Sequence, residues 1–134
     1  IEPDGYLPYL TTGTELGAPP HSVLIHAALG DHQVTPLGAH VVARAVGAKA
    51  LAPAARPIWG IDEAAGPFTG SGIVEYDYGA LVPPLPETNT PTTAPDSTDP
   101  HDWVREEQTA IDQSAHFFFT GEIAPYCAGT CDPD

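Results

Sequence analysis

The chain has 134 residues, enough for one modest domain or part of a larger one. Its hydrophobic fraction of 42% supports a core and excludes global disorder, while 16 prolines and 13 glycines foretell many turns. Eighteen acidic residues face four fixed cations (Arg44, Lys49, Arg56 and Arg105), and a net charge of −14 repels phosphate backbones and anionic lipid head groups, which excludes nucleic acid as a partner.

No apolar run approaches the length of a membrane span. The chain contains no methionine and starts at Ile1, which leads us to expect a cut from a precursor at the amino end.

Residues 1–21 alternate Gly and Pro with polar residues and read as an extended lead-in. From Ser22 to Leu29 the chain is almost continuously apolar, the pattern of a parallel strand covered on both faces. Gly30-Asp31 ends that strand. Thr35 and Pro36 then form the N-cap and first turn of a helix, with Leu37, Val41, Val42 and Ala45 as its apolar stripe and Gly47 as its stop. Ala48–Ala52 is expected to form a short strand, and Pro53–Phe68 a loop anchored by Trp59. GIVEYDY, Gly72–Tyr78, is a second clear strand whose alternation predicts an edge or half-exposed position.

Residues 81–100 form a Pro/Thr-rich connector without periodicity. Asp99 or Asp102 then caps a helix expected over 103–119, with a buried stripe of Val104, Gln108, Ile111, Ala115, Phe118 and Phe119 and a stop at Gly121. In the tail, 122–134, Cys127 and Cys131 are close enough for a small local disulfide. That pairing, with the expected processing, favours a secreted or periplasmic protein. A lone C-x3-C pair is a poor zinc site. The fold class is therefore α/β, the carboxyl-terminal part of a mostly parallel sheet whose remainder lies on another chain or precursor segment.

Two residues stand where open α/β sheets place their working groups: Asp31 after the first strand and His101 in DPHDWVRE at a helix entry. If the strands before them are parallel neighbours, both loops open at one end of the sheet. An Asp31–His101 hydrogen bond there fixes the imidazole tautomer and stabilises the imidazolium. The alternative reading makes Asp31 a turn acid and His101 an ordinary first-turn residue. His26 reads as a satisfied core histidine, and His40 and His116 as half-buried helix residues.

On these residues the chain resembles the carboxyl-terminal end of an α/β-hydrolase over about Ser22 to Phe119. SVLIHAALGD corresponds to the acid-bearing strand, GIVEYDY to the last strand and residues 103–119 to the closing helix. The resemblance implies that Asp31 is the triad acid and His101 the general base. The family's nucleophile elbow, G-x-S-x-G, is absent, and its chain order of Ser, Asp, His puts the serine upstream of Ile1. The expected function is thus a processed, exported serine hydrolase acting on a small-molecule ester or amide or on a peptide. A partner chain from the same precursor contributes the serine, with no cofactor. His32 and Trp103 are candidate pocket residues. Two other readings stay open: a metal-dependent hydrolase using Asp31, His32 and His101, or a non-catalytic recognition module.

Overall fold

A computed structural model describes residues 5–13, 17, 19–79 and 99–133. The expected connector falls almost wholly outside these residues. Helix α1 (Leu7–Thr12) interrupts what the sequence suggested was an extended lead-in, and strand β1 (Leu24–Ala28) follows. Helix α2 (Pro36–Ala45) begins after Thr35, as expected, and Gly47 takes a positive φ just beyond its end. Strand β2 (Lys49–Ala52) leads through a loop to β3 (Glu63–Ala65), β4 (Phe68–Thr69) and β5 (Gly72–Tyr76). A 3-10 turn (Pro100–Asp102), α3 (Trp103–Glu106), α4 (Gln108–Thr120) and β6 (Glu122–Ile123) complete the described chain.

Four strands form one parallel sheet in the order β1-β5-β2-β3, and β4 pairs with β6 in a small antiparallel ribbon. The sheet carries a core on each face. Val74 and Tyr76 face α3 and α4, in a cluster with Ala28, Leu51, Val104, Ala110 and Ile123. Ile73 faces α2, with Ala43, Val46, Ala50, Ile58 and Ile61. The class is α/β with helices on both sides of a parallel sheet.

Beyond the lead-in, five expectations need correction. Pro53–Phe68, read as a loop, contains the three-residue strand β3. Strand β5 is central and buried along its whole length, although its polar alternation suggested an edge. Its internal charge, Glu75, is tolerated because His40 and Arg56 reach it. The expected 103–119 helix is broken at Glu107, whose backbone is extended (φ −70, ψ 118) and whose carboxylate accepts from the Thr109 hydroxyl (3.2 Å). That break rotates α4, so Ala110 and Gln113 face the core while Ile111, Phe118 and Phe119 are exposed. On α2 the deepest residue is Ala43, and the predicted stripe of Leu37, Val41, Val42 and Ala45 is only half-buried. Trp59, the expected loop anchor, is exposed, with the Arg44 guanidinium 5.5 Å above its ring.

The disulfide Cys127–Cys131 forms as the spacing suggested, which fits an oxidising compartment. It steadies a segment that continues the sheet, since Asp77 N–H donates to the Cys131 carbonyl (2.8 Å) beside Tyr76. No described helix is long and apolar enough to cross a membrane.

Candidate active site

The ladder between β1 and β5 ends with Leu29 N–H donating to the Tyr76 carbonyl (2.8 Å). Gly30 then turns the chain at φ 87, a conformation that a residue with a Cβ rarely adopts, and delivers Asp31 to the carboxyl end of the sheet. One carboxylate oxygen of Asp31, Oδ1, accepts the N–H groups of Gln33 (2.8 Å) and Val34 (2.7 Å). This is a turn-forming acid. The other oxygen, Oδ2, lies 2.9 Å from Nδ1 of His101. Asp31 thus holds its own turn with one oxygen and meets His101 with the other.

His101 reaches this position from the 3-10 turn after Asp99. Its second ring nitrogen, Nε2, lies 3.2 Å from Nη2 of Arg105. A guanidinium has donors only, so that contact requires a lone pair on Nε2 and puts the ring hydrogen on Nδ1, directed at Asp31. The acid thus selects the tautomer whose basic nitrogen points away from it, toward Arg105. The side chains of Asp31 and His101 are 10% and 17% exposed, dry enough for their interaction to be weakly screened.

Asp99 joins the two loops. Its Oδ1 accepts the backbone N–H of His32 (3.1 Å) and of His101 (3.1 Å), and its Oδ2 accepts the Gln33 side-chain amide (3.1 Å). Burial pushes its carboxyl up, but the His32 N–H, the Gln33 amide and the His101 N–H outweigh that and hold it below its ordinary value. The sequence showed Asp99 only as a cap. Its grip on the Asp31 loop, 67 residues away in the chain, had no local signal.

A groove of about 440 Å³ opens beside the pair, bordered by Asp31, His101, Val34 and Arg105 and running along β1 between α2 and α4. His32 and Trp103 do not line it. His32 is held by its backbone to Asp99, and the Trp103 ring packs edge-on against Tyr78 with centroids 5.3 Å apart. Ser114 borders the groove from α4, yet no hydrogen bond links it to His101. Ser71 sits at the start of β5 with its hydroxyl accepting Val23 N–H (3.1 Å), at the opposite end of the strand from the pair. Five residues at about 3.3 Å each put it roughly 16 Å away. Among the described residues no three His, Cys, Asp or Glu side chains converge as metal ligands, so Asp31, His32 and His101 do not form the set a metal reading requires.

A second carboxylate–imidazole pair was not visible in the sequence. Glu75 on β5 contacts Nε2 of His40 on α2 at 2.6 Å and takes two hydrogen bonds from Arg56, at 3.0 and 3.1 Å. Burial pushes Glu75 up, but the hydrogen bonds from His40 and Arg56 and the Arg56 charge overcome it and leave the carboxyl below its ordinary range. His26 on β1 is satisfied as expected: Gln113 donates its amide to the Ala124 carbonyl (2.6 Å), leaving its oxygen to accept from His26 Nε2 (2.6 Å). Burial holds the His26 imidazole below its ordinary value against the opposing effect of that bond.

Comparison of this chain with protein-family models, curated proteins and solved structures returned no match.

Proposed function

We propose that this chain supplies the acid and the general base of a serine hydrolase acting on an ester or amide, its nucleophilic serine being carried by a companion segment of the same processed, exported precursor. The observation that carries the reading is the orientation of His101, a residue that borders the groove, with Nδ1 on the Asp31 carboxylate and the lone pair of Nε2 held by the exposed Arg105. A base in this arrangement accepts the serine hydroxyl proton at Nε2 as the oxygen attacks the carbonyl carbon. Asp31 stays ionised and stabilises the imidazolium. The proton then passes from Nε2 to the departing alcohol or amine, leaving an acyl-enzyme. Water attacks that ester, giving its proton to Nε2, and the serine regains a proton as the acid is released.

Arg105 occupies the approach to Nε2 and is itself held by Asp102 (2.7 Å) in an exposed pair of low energetic weight. The arriving serine displaces Arg105 from Nε2, and the guanidinium keeps its Asp102 partner.

The reading is tested by fluorophosphonate labelling of the native preparation, with intact mass of every chain present. The expected result is one label on the companion segment, lost in His101→Ala. A label on Ser114, or hydrolytic activity with no label anywhere, overturns it.

A further inference from the structure

The two edges of the parallel sheet are built differently. At one edge, β3 is three residues long and carries exposed Glu63, the short charged strand that discourages further pairing. At the other edge, β1 pairs with β5 without interruption from Leu24↔Gly72 to Ala28↔Tyr76 and contains no charged residue, proline or bulge. Gly72 N–H donates to the Val23 carbonyl and Leu29 N–H to the Tyr76 carbonyl, so the odd-numbered residues of β1 turn their backbone groups toward β5. The backbone groups of Leu24, His26 and Ala28 consequently face outward. Among the described residues no strand pairs with them, although the Ala28 carbonyl takes Asp31 N–H (3.3 Å).

Residues of both helical layers border this edge. Ala39 of α2 borders the groove on one face of the sheet, and Ala110 and Ile111 of α4 border it on the other, with His26 and Ala28 at its floor. A groove floored by a strand edge and walled by two helices has the cross-section of one more strand position. Ala39 on one wall and Ala110 on the other leave space for side chains on both faces.

We propose that a strand of the companion segment occupies this groove, parallel to β1 and hydrogen-bonded to Leu24 and His26, with its carboxyl end at Asp31 and His101. Parallel addition continues the direction of all four strands and keeps helices over both faces of the new one. Its side chains are apolar on both faces, because α2 covers one and α4 the other. The proposal rests on the reading of the chain as half of a split hydrolase and adds where and in which direction the halves join.

The test places a benzoylphenylalanine photo-crosslinker at Ile111 in the native, fluorophosphonate-labelled preparation, with Phe118 as a site outside the groove. The expected conjugate joins position 111, and not 118, to an apolar peptide of the chain that carries the label. Leu24→Pro removes one outward N–H at a strand start, where proline is tolerated, and is expected to lower retained companion at least tenfold. Glu63→Pro at the β3 edge is expected to leave it unchanged. A conjugate with a second copy of this chain, with residues 80–98 or with nothing overturns the docking. If the label is present while the groove gives no conjugate, the hydrolase reading survives and the docking falls. If no chain takes the label, the hydrolase reading falls with it.

Discussion

Two carboxylate–imidazole pairs, one on strand β5 and one just beyond the end of its neighbour β1, differ in what surrounds the acid. Glu75 has a side chain only 1% exposed and meets His40 and Arg56 together, so its charge is matched by a permanent cation. Asp31 receives two neutral backbone N–H groups on one oxygen and turns the other to His101. A carboxylate matched by arginine has little left to give an imidazolium. One held only by peptide dipoles retains its charge for the ring. His101, whose Nε2 meets only Arg105, also borders an open groove, whereas the acid contact of His40 joins α2 to the sheet. Identical chemical groups are thus divided by their second neighbours between a setting matched by a fixed cation and one without it.

The sharpest way to break this contrast is kinetic. His101→Ala and Asp31→Asn in the native preparation are expected to lower kcat by a factor on the order of 10⁴, the second by favouring the wrong tautomer. His40→Ala is expected to leave kcat unchanged while lowering the melting temperature. Equal losses at both histidines, read by ester turnover, would show the contrast to be empty.

Stability gives the reverse ordering. Arg56→Ala leaves Glu75 buried with only His40, and we expect a cost of about 3–5 kcal/mol in urea unfolding. Arg105→Ala removes an exposed pair with Asp102 and an exposed contact with His101 Nε2, and is expected to change the urea midpoint very little. A smaller effect is expected for Gln113→Ala. It strands the His26 N–H and the Ala124 carbonyl, at roughly 1–3 kcal/mol by the same measurement.

The smallest effect is on pH. His26 is held below its ordinary value of 6.5 in the folded chain, so the unfolded chain binds more protons. Its contribution is complete above that pH and is lost as pH falls from 6.5 through its folded value. Glu75 and Asp99, lowered from 4.5 and 3.8, add losses further into the acid range. Melting temperature should therefore decline first below about pH 6.5, and Gln113→Ala should alter that first step rather than the later one.

What the sequence disclosed depended on how local each cause was. The run Ser22–Leu29 and the Thr35-Pro36 start need only adjacent residues, and β1 and α2 lie where these signals put them. The meeting of Asp31 and His101 followed from a topological rule, that parallel neighbouring strands release their loops at one end. Strand β5 was misplaced because Glu75 looks like a solvent-facing residue until His40 and Arg56, 35 and 19 residues away, are brought beside it. The face of α4 was misphased by one residue, since Glu107 leaves the helix to cap the next one and shifts every later position. Trp59 misled for a similar reason: a large aromatic beside Gly60 reads as an anchor, but the cation that covers it comes from α2.

Asp99 makes the placement of His101 a shared property of two loops. Because this carboxylate holds the backbone of both, the ring is located by residues 31–33 and 99–101 together. Acid and imidazole are thus positioned as one unit, and a change that loosens either loop moves both partners at once.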